Sequence, residues 1–192
     1  MNKKAVGHDY NMSKSISFDK QKELIKKWID SDTHPRIALI GLLSLIHAFS
    51  AYELTNIKLT DINENVITVP NRQVKNVMLA DQITEVLNRY LVWRQQLLHD
   101  AKCDYLIVSR VSYKKNVPVT QGVIYGDLKK TGISARQLRA TRLIDLSQKG
   151  NLKLLEGILT YEGARPYYRV PSPKLMGIQN TPRYKNSSYN ID

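Results

Sequence analysis

Residues 42–63, LLSLIHAFSAYELTNIKLTDIN, decide how the rest of the chain is read. The stretch reads as the end of a buried helix, a short turn, a second and amphipathic helix, and an acidic-polar approach to a strand. Upstream, Pro35 suits the first turn of the buried helix, which runs to about Phe49 and is apolar almost all round, so it belongs at the centre of the fold. Ser17 predicts an N-cap for a preceding helix over residues 18–29, with Leu24, Ile25, Trp28 and Ile29 as its apolar side. Downstream, residues 52–57 continue as a short helix. Residues 66–70 and 74–79 then read as strands separated by a polar turn at 71–73.

Further along, Asp81 predicts the cap of a long helix reaching about His99, with Ile83, Val86, Leu87, Tyr90, Leu91 and Leu98 at helical spacing. Residues 105–109 read as a short strand and 110–119 as a basic loop ending after Pro118. Thr120 starts a helix that stops near Gly132. Ser134 caps a helix over 135–149 closed by Gly150, and Asn151 starts a short helix to Leu159. Pro166 interrupts any regular structure after it.

Composition sets the outer limits. A chain of 192 residues buries a substantial core, and one domain is the default. The longest apolar run, residues 37–46, falls well short of the ~20 residues of a membrane span and is flanked by Arg36 and His47. The basic N-terminus is followed by no apolar segment of the secretory kind. The single Cys103 excludes an internal disulfide and fits a reducing cytoplasm. The formal charge of +12 points to a polyanionic partner, of which nucleic acid is the commonest. The excess is not spread evenly: residues 129–169 hold nine Lys or Arg against three Asp or Glu, whereas residues 19–32 are nearly balanced.

The order of Glu53, Leu54, Asp61 and Ile62 resembles the first signature block of the tyrosine recombinase (phage integrase) family, Thr-Gly-Leu-Arg-x-x-Glu-Leu followed by Leu-x-Leu-x-Asp-Ile. The resemblance spans about residues 17–170. It implies a mixed α+β, mainly α-helical fold, the integrase-like (DNA breaking–rejoining) catalytic domain, with a small antiparallel β-sheet on one edge. Residues 1–16 are then a flexible leader, too short for the N-terminal core-binding domain of long integrases. Residues 171–192 form a tail that is either disordered or docked on a neighbouring protomer, making a homo-oligomer. In length the chain is similar to the short members that flip fimbrial promoter segments; it reads equally as a fragment of a longer protein. The resemblance implies double-stranded DNA as partner, with no cofactor and no metal.

The same resemblance assigns chemistry position by position. Ser50 stands where the family carries its first catalytic arginine. Arg136-Gln137-Leu138-Arg139-Ala140-Thr141 occupies the second signature, His-x-Leu-Arg-His-Thr, keeping Arg139 but placing Arg136 at the histidine. Arginine binds phosphate yet does not exchange protons near neutral pH. Arg142 continues the spacing of three along that helix. Tyr161 takes the place of the next histidine. Tyr168, with Tyr167 beside it, matches the nucleophile, over an interval two residues shorter than the family's and interrupted by Pro166. Arg72 and Lys75 lie where the hairpin lysine is expected. Either reaches phosphate from a strand edge, or serves as an exposed charge that discourages aggregation.

The vestigial catalytic positions are therefore Ser50, Arg136, Arg139, Tyr161 and Tyr168. The expected DNA contacts are Arg72, Lys75, Arg136, Arg139, Arg142, Arg165 and Arg169, with a further groove contact conceivable from residues 110–115 around Tyr113. The expectation is a noncatalytic DNA-binding protein on an integrase scaffold, a regulator from a phage or mobile element. Two alternatives remain open: an active recombinase using Tyr168, and a protein-interaction module that docks through residues 174–192.

Overall fold

The computed structural model describes residues 15–30, 32–99 and 101–164, with side chains described as far as residue 159. Within that span lie α1 (Phe18–Ile29), α2 (Pro35–His47), α3 (Ala51–Asn56), a 3₁₀ turn (Leu59–Asp61), β1 (Ile62–Asn63), β2 (Val66–Thr68) and β3 (Asn76–Met78). There follow α4 (Asp81–Leu98), α5 (Ser112–Lys115), α6 (Gln121–Lys129), α7 (Ala135–Gln148) and α8 (Leu152–Ala164). The strands form one antiparallel sheet in the order β1-β2-β3, with Ile67 opposite Ile62 on one side and Val77 on the other. The architecture is mainly helical with a small antiparallel sheet, as expected.

Helix α2 is the axle, because a helix apolar on every side has to be surrounded. Ile37 through Leu45 are all buried, and α1, α4, α6 and α7 pack around them. Gly41 sits in the middle of this helix, where glycine costs about 1 kcal/mol relative to alanine. The reason is Trp28 of α1, whose fully buried indole lies directly over it; a Cβ at residue 41 would meet ring atoms at 2.7–2.8 Å. At the start of α2, Arg36 pairs with buried Asp127 of α6 (2.6 Å) and donates to the Val108 carbonyl (2.8 Å), so three segments meet at one guanidinium. Helix α2 stops at Ala48, whose φ of 54° is left-handed, and Phe49 N–H returns to the Leu43 carbonyl.

Several expected boundaries are corrected. Asp81 is the first residue of α4 and not its cap; Ala80 holds the cap position without a side-chain bond. The strand expected over 105–109 shrinks to one bridge between Tyr105 and Lys58. Two of its carbonyls are taken from within: Arg94 donates to Tyr105 and Leu106, as well as to Cys103 before them, and the Tyr90 hydroxyl donates to Leu106. Arg94 is thus a buried cation solvated by peptide oxygens, which leaves too few free acceptors for a ladder. The loop expected over 110–119 contains the helical turn α5, and Tyr113 packs towards Leu98, Cys103 and Val108 instead of reaching outward. Strand β3 starts at Asn76 and not Val74, because the Gln73 and Val74 amides donate to Gly157 of α8 (3.0 and 3.2 Å). Helix α8 runs past Leu159 to Ala164. Ile16, assigned to the leader, is buried in the main core, and its N–H donates to the Thr141 hydroxyl (3.0 Å). Residues 1–14 and 171–192 lie outside the described residues. Among the described residues no helix is long and apolar enough to cross a membrane.

The packing of Trp28 on Gly41 yields a direct expectation. Gly41→Ala adds a methyl where ring atoms already sit, and overpacking of this kind costs about 1–3 kcal/mol despite the better helix propensity of alanine. Urea denaturation is expected to show a lower midpoint with an unchanged slope; an equal or higher midpoint would contradict the contact.

Candidate nucleic-acid interface

Two helix starts frame the site. Ser134 caps α7 by accepting from Gln137 N–H (3.1 Å), which fixes the first turns carrying Arg136 and Arg139. Ser50 caps α3 through a full capping box: its hydroxyl accepts from Glu53 N–H (3.2 Å), while Glu53 accepts from the Ser50 N–H (2.7 Å). The Ser50 hydroxyl also donates to Glu53 Oε2 at 2.8 Å. Between these starts lies a hollow of about 270 Å³ lined by Ser50, Ala51, Tyr125, Arg136, Arg139 and Leu143 among others. The sequence candidates Ser50, Arg136 and Arg139 therefore share one concavity.

Other candidates fall elsewhere. Arg142 does not continue into the hollow; it pairs with Asp145 (2.8 Å) and lines a separate pocket with Ile46, His47 and Leu154. The reason is geometric. A spacing of three advances ~300° around a helix, so each step drifts by about 60° and residue 142 lies about 120° from residue 136. Lys75 is exposed at the start of the β3 side of the hairpin.

Arg72, expected at the strand edge, is instead buried, with 4% of its surface exposed. Its guanidinium pairs with Glu53 at 2.7 and 3.2 Å, donates to the carbonyls of His47 (3.0 Å) and Ala48 (3.2 Å), and stacks 4.5 Å from the Phe49 ring centroid. With four acceptor contacts and almost complete burial, the guanidinium faces inward and does not extend from the strand edge as expected. Arg139 Nε donates to the same Ala48 carbonyl (3.0 Å). Tyr161 lies on α8, its side chain outside the described set; Arg165, Tyr167, Tyr168 and Arg169 lie outside the described residues.

The electrostatics follow from these contacts. Burial alone would raise the Glu53 pKa, but the hydrogen bonds and charge of Arg72, joined by the Ser50 donors, hold it below the ordinary carboxylate value. His47, at the end of α2, is pushed down to about 4, first by burial and then by the charges of Arg142 and Arg72. Its Nε2 is buried with no hydrogen-bond partner among the described residues. A helix C-terminus ordinarily favours a protonated histidine; here desolvation and two arginines outweigh the dipole. No group of His, Cys, Asp and Glu suited to a metal ion occurs among the described residues.

Sequence reasoning missed three participants. Tyr125 lines the hollow from α6 and is half exposed, its hydroxyl donating to Gln121 (2.9 Å). No motif marks it, since only the packing of α3 against α6 brings it there. The Glu53–Arg72 pair and the buried His47 were equally unmarked, because neither the inward course of a turn nor the burial of a helix end is periodic.

No protein-family model matches the chain, and no curated protein sequence does. Solved structures do. A crystal structure of XerA recombinase superimposes with a TM-score of 0.65 and 23% identity, covering 100% of this chain and 68% of that one. The XerH site-specific recombinase, in a pre-cleavage complex with its difH substrate, gives 0.61 and 18% over 80% of this chain and 49% of that one. The Tn1549 transposon integrase in complex with transposon right-end DNA gives 0.61 and 14%, over 82% and 61%. The fold of this chain is the integrase-like fold that these tyrosine recombinases share.

The depressed His47 pKa predicts acid sensitivity. Because the unfolded chain takes up this proton near 6.5 and the folded chain only near 4, stability falls as pH drops through that window. The loss is on the order of 2–3 kcal/mol at pH 4, since one pKa unit corresponds to about 1.4 kcal/mol. Denaturant midpoints measured from pH 7 to 4 are expected to decline, with His47→Gln abolishing most of the decline. A further decline at still lower pH is expected to persist in that variant, as the pH falls out of the ordinary carboxylate range and through the lowered value of Glu53, whose protonation releases Arg72.

Proposed function

We propose that this chain binds double-stranded DNA through its backbone phosphates without cutting it, as a repressor-like regulator of a phage or mobile element. The observation that carries the reading is the shared hollow. Arg136 and Arg139 line it, while Ser50, at the position of the family's first catalytic arginine, is engaged in capping α3. A guanidinium presents a rigid fork of donors matched to phosphate oxygens, and two on one helix face suit a backbone contact. The overall charge of +12 supplies long-range attraction to a polyanion.

Cleavage asks for more. A pentavalent phosphoryl transition state gathers charge that ground-state phosphate lacks, and losing one donor aimed at such charge costs about 2.7–4 kcal/mol. Arg136 at a histidine position supplies charge but no transferable proton. Contacts from Lys75 on the hairpin, and from Arg165 and Arg169 beyond the described helices, complete the expected footprint; Arg142 flanks it. The fold shared with recombinases favours a second reading, an active enzyme using Tyr168.

Binding to a labelled duplex is expected to weaken steeply with salt, with a log–log slope of about −0.9 for each phosphate neutralised. Arg139→Ala is expected to weaken binding about tenfold and to make that slope shallower by about one contact, uniformly across sequences. A nicked suicide substrate is expected to give no covalent adduct. An adduct that disappears in Tyr168→Phe would establish the recombinase instead, and affinity insensitive to salt would reject phosphate binding.

A further inference from the structure

Arg72 and Arg139 come from distant parts of the chain and meet at one atom. Arg72 Nη2 and Arg139 Nε both donate to the Ala48 carbonyl oxygen, at 3.2 and 3.0 Å. Ala48 lies just past the end of α2, where carbonyls have lost their helical partners and need donors from elsewhere. Two guanidinium groups on one oxygen repel each other, and the arrangement holds because Glu53 neutralises one of them. Both Glu53 oxygens bind Arg72, and the same carboxylate takes the Ser50 N–H and O–H.

Four contacts and an aromatic face define the plane of the Arg72 guanidinium: Glu53, the carbonyls of His47 and Ala48, and the Phe49 ring. The turn that carries it is also clipped to α8, where Gly157 accepts from Gln73 and Val74. A Cβ at residue 157 would meet Val74 Cγ2 at 2.5 Å, so this approach is close. Arg72 is thereby fixed from two sides, whereas Arg139 is only partly buried and lines the hollow.

We propose that Arg72 is a positioning residue for Arg139: by holding the Ala48 carbonyl it fixes the Arg139 Nε–H, and so the edge of the guanidinium that faces the hollow. This rests on the phosphate-binding reading of the hollow. Arg72 is almost wholly buried and its charge is offset by Glu53, so its effect on binding passes through Arg139. A lysine at residue 72 keeps the charge but, as a point donor, does not reach Glu53 and both carbonyls together.

The test measures anisotropy of a fluorescein-labelled duplex of random sequence against the full-length protein, across a salt series, with thermal melting in parallel. Arg72→Lys is expected to remain folded, to bind about tenfold more weakly, and to lose about 0.9 from the salt slope although residue 72 touches no phosphate. Arg139→Ala is expected to do the same. The double variant is expected to bind no more weakly than Arg139→Ala alone, because both changes remove one contact. Additive losses, or wild-type affinity and slope in folded Arg72→Lys, would overturn the proposal. Should Arg72→Lys fail to fold, Glu53→Gln carries the test, since it loosens the hold on Arg72 while keeping the side chain's shape. The Arg139 Nε–H resonance, identified by its loss in Arg139→Lys, is then expected to shift and to exchange faster with solvent; an unchanged resonance overturns the assignment. A loss in Arg139→Ala with none in Arg72→Lys removes the positioning role alone. Wild-type affinity in Arg139→Ala removes the phosphate reading, and this proposal with it.

Discussion

The buried pair between Arg72 and Glu53 is the interaction on which the other features of the site depend. Moving two charges out of water costs several kcal/mol per ion, and the mutual attraction offsets this only when geometry is good and the remaining donors and acceptors are filled. Here they are filled: the guanidinium reaches two carbonyls besides the carboxylate, and the carboxylate takes two donors from Ser50. Removing one partner from such a pair leaves an uncompensated charge, typically worth about 3–5 kcal/mol. The pair joins the hairpin turn, the end of α2 and the start of α3. Through the shared Ala48 carbonyl it also reaches α7. The hairpin is therefore tied inward at the point where the family resemblance calls for an outward-facing cation.

Ser50 has a job that the scaffold alone requires. A serine at a helix start has a local function that needs no ligand: its hydroxyl meets an orphan N–H and Glu53 closes the box from the other side. An arginine cannot accept a hydrogen bond, so it could not make this cap. The residue at position 50 is thus well matched to the scaffold and ill matched to stabilising a charged transition state. Glu53, by contrast, serves the cap and Arg72 at once, which explains in physical terms why a glutamate suits that site whether or not the chain cuts DNA.

Much of the fold was legible because helices announce themselves by period and punctuation. Ser17 and Ser134 cap where read, and the all-round apolar run of α2 is central. What failed was read from composition without partners. Residues 105–109 look like a strand, yet Arg94 and Tyr90 claim two of their carbonyls, and nothing in the sequence shows that the cation at position 94 turns inward. Of the candidate site, Ser50, Arg136 and Arg139 were legible through the resemblance, since signature spacing on a helix fixes direction as well as sequence. Arg72 was not, because the direction of a side chain on a turn is set by its acceptors and by no repeat. The stripe expected to run through Arg142 departs from the hollow for a simpler reason: a spacing of three drifts around the helix, so a stripe of arginines in sequence is not a stripe in space.

The same contacts bear on how a site can bind a phosphodiester and leave it whole. Interactions made equally with the ground state and the transition state add affinity without adding rate; only those stronger in the transition state accelerate chemistry. On the phosphate-binding reading proposed above, Arg139, held by the Ala48 carbonyl, makes the same contact in either state. The groups that discriminate are those that meet new charge or move protons; at their positions Ser50 supplies no cation, and Arg136 supplies charge but no transferable proton. On the reading proposed here, the hollow has shifted from differential towards uniform binding, and the inward Arg72 is part of that shift. It spends a cation that could have faced the phosphate on fixing one that does, trading a donor at the reacting group for rigidity in the scaffold beneath it.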